Sequence, residues 1–190
     1  MKEAREKSVH KILNNIKENH RININLDDLN KVKYDEYLSR YDIYRYILEH
    51  KICTEPQKVW DIYLDPIPYG KDELIPVAET IKMIHEAGGL SFLAHFNKNI
   101  GLGGLDFNET ETAIKHLVSL GLDGIERYYP SYTKDDESFL DYLICKYKLY
   151  SSGGTDYHGA NRGNINIGFG NGNLKIPYKL YSNIINKLNI

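Results

Sequence analysis

Between Pro66 and Gly70 the chain changes rhythm, and that change limits the folds open to it more than any other feature. Proline cannot donate to a helix and clashes with the preceding turn, so Pro66 and Pro68 end whatever helical order precedes them. Before this stretch the apolar residues recur at helical spacing. Val9, Ile12, Leu13 and Ile16 form one stripe, and Ile43, Tyr44, Ile47 and Leu48 form another on a helix from Tyr41 to His50. Asn19 to Asn25 interrupts the pattern, and Gln57 to Tyr63 reads as a short third helix.

Beyond Gly70 helical stripes alternate with short apolar runs. Pro76 opens a helix with Val77, Ile81 and Ile84 inward, closed by Gly88. Leu90 to Ala94 reads as a buried strand. Asn108 and Glu111 have capping-box spacing before the stripe Ile114, Leu117 and Val118. Asp123 to Tyr128 is a second strand, and Thr133 caps a helix carrying Phe139, Leu140, Leu143, Ile144 and Tyr147. Leu149 to Ser152 is a third strand, and Pro177 opens a last helix with Tyr181, Ile184, Ile185 and Leu188 on one side. Alternation of this kind predicts an α/β fold with parallel strands and outer helices. Three strands cannot close a barrel, so the expected sheet is part of a larger one. Two regions are expected, 1–70 helical and 71–190 α/β.

Composition narrows the function classes. Hydrophobic residues make up 42% and charged residues 26% of 190, so a packed core is available and a disordered or fibrous chain is excluded. A net charge of −2 lacks the basic field of a general nucleic-acid or membrane-surface binder. Cys53 and Cys145 are too few and too far apart for a disulfide framework or a cysteine zinc cluster, and they suit a reducing compartment. With a charged N-terminus and no apolar run of about 20 residues, the expected location is cytoplasmic, without a membrane.

The chemistry-bearing residues gather where the predicted strands end: His95 after the first, Glu126 on the second, and Asp156 and His158 beyond the third through Gly153-Gly154. In parallel α/β folds ligands bind at the carboxyl ends of strands. Two residues apart in extended backbone, Asp156 and His158 leave one face, and a carboxylate with an imidazole is a ligand set for Zn, Mn or Fe. Each also suits an ordinary role: His95 as a packed histidine, Asp156 as a turn cap, His158 as a loop residue, Glu126 as a partner of Arg127 or a lysine. Gly101-Leu102-Gly103-Gly104 is either a phosphate cradle or a flexible loop. Tyr128-Tyr129-Pro130-Ser131-Tyr132 is either a base-stacking cluster or a coincidence in a chain of 16 tyrosines.

Four blocks in order carry a resemblance: Gly88-Gly89-Leu90-Ser91-Phe92-Leu93-Ala94-His95, Gly121-Leu122-Asp123-Gly124-Ile125-Glu126, Tyr128-Tyr129-Pro130-Ser131, and Gly153-Gly154-Thr155-Asp156-Tyr157-His158-Gly159. The series resembles the PHP (polymerase and histidinol phosphatase) family, in its branch of small phosphoesterases acting on nucleoside 3′,5′-bisphosphates and RNA 5′ ends. The resemblance implies part of a distorted seven-stranded β/α, TIM-like barrel with an N-terminal helical insert. It implies His95, Asp156 and His158 as ligands of divalent Mn, Zn or Fe, with no role as ligand given to Glu126. Arg40, in Leu38-Ser39-Arg40, and Arg5 would hold the substrate phosphate. The implied partners are a phosphorylated small molecule or nucleotide, and either an upstream PHP segment or a second chain on an open sheet edge.

The departures are equally specific. The family's opening His-x-His strand, its Ser-Asp-Gly segment and its bridging glutamate have no counterpart here. Tyr132 stands where a histidine is usual, Phe96 where a proline follows the histidine, and Asp42 where the insert often has histidine. The expectation is therefore metal-dependent phosphate-ester hydrolysis with an incomplete metal cluster in this chain. The alternative is a non-catalytic remnant that binds a phosphorylated ligand or a protein.

Overall fold

A computed structural model describes residues 2–32, 36–70, 73–98, 101–158, 165–170, 172 and 174–189. The chain divides into two compact units, Met1–Ile75 and Pro76–Ile190.

The first unit is helical: α1 (Lys2–His20), α2 (Leu26–Val32), α3 (Arg40–Glu49) and α4 (Pro56–Val59), the last continuing as one wide π turn over Trp60–Leu64. The helix α2 lies in a stretch whose sequence shows no helical stripe. Its start is set locally, where the Asn25 side chain accepts the Asp27 N–H at 3.1 Å. Its one deeply buried residue, Leu29, joins Val9, Ile12, Ile16, Ile43, Tyr44, Ile47, Val59 and Leu64 in one core. Asp42 closes a capping box on Ser39 and pairs with Arg45 at 2.7 Å, which accounts for a carboxylate only 3% exposed.

The second unit runs α5 (Val77–Glu86), β1 (Phe92–Leu93), α6 (Phe107–Ser119), β2 (Gly124–Tyr128), α7 (Lys134–Tyr147), β3 (Tyr150–Gly153) and α8 (Tyr178–Leu188). The strands form a parallel sheet in the order β1-β2-β3, with Leu93 opposite Ile125 and Ile125 opposite Ser151. An α/β fold with three parallel strands is thus present, each strand shorter than or shifted from the apolar run that announced it. Ile125 packs with Ile114, Leu140 and Leu143, so one face of the sheet carries the helix-covered core. Because side chains alternate along a strand, Glu126 leaves β2 on the other face.

Several local expectations need correcting. The cap of α6 is Asp106 with Glu109, not Asn108 with Glu111. Glu111 instead receives Tyr147 Oη at 2.8 Å and the Lys146 ammonium, so its carboxylate serves α7. Val77 is exposed, leaving Ile81 as the buried residue of α5. No residue of α8 is fully buried, and Tyr181 lies open. Thr133 caps α7 as expected. Cys53 and Cys145 are free, and no helix of the described residues is long and apolar enough to cross a membrane.

At the start of the strands Asp123 ties three elements together. Its Oδ2 accepts from the Ser91 N–H at 2.8 Å, the Ser91 hydroxyl at 3.0 Å and His85 Nε2 at 2.7 Å. Burial alone would raise its carboxyl, but the His85 and Ser91 hydrogen bonds outweigh it and hold the group below the usual aspartate value. Asp123→Ala leaves the buried Ser91 N–H unsatisfied, an expected loss of about 1–3 kcal/mol. A depressed carboxyl stabilises above its unfolded value, about 3.9, and stops doing so as pH falls through the lower folded value. The gap in urea stability between wild type and variant should therefore hold at pH 7 and close below about pH 4.

Candidate metal and phosphate site

The rim at the carboxyl ends of β1, β2 and β3 carries the predicted donors, and its backbone is unusual. His95 and Asp156 have φ of 28° and 52°, in the left-handed region that costs a non-glycine residue about 1–2 kcal/mol. The chain turns sharply at both positions, so neither side chain continues the pleat of its strand.

At the end of β1 the His95 N–H donates to Glu126 Oε2 at 2.7 Å, and the next N–H, of Phe96, donates to Tyr132 Oη at 3.2 Å. Phe96 is 3% exposed, packed against the Tyr132 and Phe139 rings. Burial pushes the Tyr132 hydroxyl well above its ordinary value. Tyr132 therefore anchors the β1 loop, and nothing in that role requires the histidine usual at its position. The imidazole of His95 meets the Tyr129 ring edge-on at 5.9 Å between centroids, and its Nδ1 is buried with no hydrogen-bond partner among the described residues.

At the end of β3, Asp156 and His158 meet through a turn and not along an extended strand, because φ of 52° at Asp156 breaks the pleat. His158 Nδ1 lies 2.6 Å from the Asp156 carbonyl and 3.5 Å from its Oδ1. A carbonyl can only accept, so Nδ1 carries a proton, and in the neutral ring the lone pair is on Nε2. Histidines that bind metals have this arrangement. Tyr129 Oη donates to Asp156 Oδ2 at 2.9 Å. Tyr129, 8% exposed, is thus part of the site's wall and not a platform for a base.

Glu126 lies between the two loops. Burial pushes its carboxyl above the usual glutamate range and the Asp156 charge adds to this, while the His95 N–H and imidazole pull it down. Arg127, expected as its partner, instead makes a forked pair with Asp141 at 2.6 and 2.9 Å. Gly154 keeps the space beside Glu126 open: a Cβ there would stand 3.2 Å from Oε1.

Imidazole and carboxylate are the right donor types for a divalent ion, and the unpaired His95 Nδ1 and the polarised His158 ring fit one individually. Among the described residues, however, no three His, Cys, Asp or Glu side chains are grouped closely enough to enclose an ion. Gly159, the end of the fourth sequence block, lies outside the described residues.

The other expected phosphate contacts, Arg40 and Arg5, belong to the helical unit. Arg40 is 5% exposed, and its four Nη protons go to the carbonyls of Leu64, Ile67 and Pro68 and the hydroxyl of Ser8. Its charge faces Glu73 at 3.8 Å and its plane covers the Tyr69 ring at 4.0 Å. In these contacts the guanidinium braces the helical unit. Arg5, on α1, donates to Tyr37 Oη at 2.9 Å. The Gly101–Gly104 segment is a turn whose N–H groups at Gly101 and Gly103 both donate to the Lys98 carbonyl, so they do not face outward to cradle an anion.

No family model matches the chain. A phosphoribosyl 1,2-cyclic phosphate 1,2-diphosphodiesterase from Eggerthella lenta is 33% identical over 97 residues, 51% of this chain and 34% of that protein. A provisionally assigned metal-dependent phosphoesterase from Bifidobacterium adolescentis superposes with a TM-score of 0.73 at 19% identity, covering 98% of this chain and 63% of its own. An amidohydrolase from Chromobacterium violaceum, solved with sulfate and no metal, gives 0.69 at 22% identity over 83% and 55%. This chain thus spans about a third of its curated relative and less than two thirds of both solved structures, and across that span it has the fold they share.

Proposed function

We propose that the rim formed by His95, Asp156 and His158 is part of a PHP-type, metal-dependent phosphoesterase site acting on phosphate esters of nucleotides or sugars. The observation that carries this reading is the pairing at the end of β3, where the Asp156 carbonyl fixes the His158 tautomer with Nε2 free to ligate. The phosphodiesterase relative and the phosphoesterase-like neighbour support it.

The residues of this chain have separable tasks. Asp156 offers negative charge, steadied by Tyr129 Oη. His158 and His95 offer ring nitrogens. Bound there, Mn, Zn or Fe would supply positive charge to offset the charge that develops on phosphoryl oxygens. Because three donors are not preassembled among the described residues, further ligands come from the remainder of the site or of the assembled enzyme. Within the helical unit Arg40 is an internal brace.

The test is equilibrium dialysis of the chain against Mn²⁺, followed by elemental analysis. Wild type should retain at least one ion, and Asp156→Asn should bind it at least about tenfold more weakly, since an uncharged amide replaces a ligand carboxylate. Release of phosphate from a nucleoside 3′,5′-bisphosphate by the chain assembled with the missing segment should vanish in the same variant. Equal Mn²⁺ binding by both proteins would remove Asp156 from the site. An ion-free wild type would favour a non-catalytic module.

A further inference from the structure

The ladder between β1 and β2 ends at Leu93 opposite Ile125. Two residues later the chain enters the left-handed region at His95 and presents an N–H that no strand carbonyl receives. Glu126, next along β2 after the last paired residue, supplies a side-chain oxygen where the ladder's backbone acceptor is lacking, at 2.7 Å. A hydrogen bond to a carboxylate is shorter and stronger than one to a neutral acceptor, which suits it to hold a strained peptide. The same residue stands beside Gly154, two residues ahead of Asp156.

We infer that Glu126 is a positioning residue: its carboxylate clamps the His95 backbone N–H, holds φ at 28°, and so fixes the direction of an imidazole whose Nδ1 is buried with no hydrogen-bond partner among the described residues. Glu126 acts through His95 and not as a ligand. Its effect on metal affinity rests on the reading proposed above, but the clamp itself does not. Tyr129 limits how far the imidazole can tilt, Tyr132 holds the following N–H, of Phe96, and the His95 carbonyl accepts from the Lys98 N–H, so Glu126 is the side chain that holds His95 on its N–H side.

Amide hydrogen exchange on the full chain, without metal, tests the clamp. In Glu126→Ala the His95 amide should exchange at least about tenfold faster while the Ile125 amide in the same strand is unchanged. Glu126→Gln, which keeps an acceptor oxygen, should recover most of the protection. An unchanged His95 amide in Glu126→Ala overturns the inference. So does an equal acceleration at Ile125, which would make Glu126 a contributor to stability alone. Where wild type binds Mn²⁺, Glu126→Ala should weaken it by about 10–100-fold and Glu126→Gln by much less. Equal affinity for all three proteins would overturn the effect on the imidazole. A wild type that takes up no Mn²⁺ defeats the functional reading while the exchange result still decides the clamp.

Discussion

Arg40→Ala should destabilise the helical unit by about 3–5 kcal/mol, because it leaves buried acceptors and a buried carboxylate without their cation. Three carbonyls, the Ser8 hydroxyl and Glu73 all meet this one guanidinium, and Leu64 and Glu73 would keep one backbone N–H each without it. Arg40→Lys should recover little, since an ammonium cannot reach acceptors spread across the fork and cannot lie flat on Tyr69. The chain's single tryptophan, Trp60, begins the π turn that ends at Leu64, whose carbonyl Arg40 holds. Its emission during urea unfolding therefore reports on this unit. A midpoint unchanged in Arg40→Ala would contradict the bracing role and return the residue to candidacy for a phosphate contact.

Gly124→Ala should cost the α/β unit about 3 kcal/mol, at the upper end of ordinary overpacking. A Cβ at this position would overlap the Phe92 ring and come within 2.6 Å of the Tyr150 carbonyl. Both neighbours are fixed, because Gly124 pairs with Phe92 on one side and Tyr150 on the other. Far-UV circular dichroism during thermal unfolding should show the loss as a lower midpoint. A variant as stable as wild type would mean that β1 can slide away from β2, and with it His95.

The contrast between these two residues shows what the sequence discloses. The parallel sense of the strands and the rim at their carboxyl ends were legible because apolar runs alternate with helical stripes, and that alternation leaves few topologies. The place where His95, Asp156 and His158 lie followed from the same rule. The task of Arg40 was not legible. Its partners are backbone carbonyls about 25 residues away, and backbone acceptors leave no mark on composition. Likewise α2 holds its place through Leu29 with Leu26 packed beside it, too little for a periodic stripe. Glu126 could have been weighed more heavily, since a lone carboxylate next to Ile125 in a buried run must find a partner. Arg127 was the obvious choice by adjacency, but neighbours in a strand point to opposite faces.

The left-handed residues at 95 and 156 also bear on how such a chain changes over generations. Glycine would adopt either conformation freely, so selection for persistence of the fold alone favours glycine at the two positions where the rim's donors sit. A lineage that keeps histidine and aspartate there pays a continuing thermodynamic toll, and one relieved of the need for the site can shed that toll by two substitutions. Arg21, Lys51, Lys148 and Asn189 carry the same backbone cost, but only at 95 and 156 is it borne by donors of the rim.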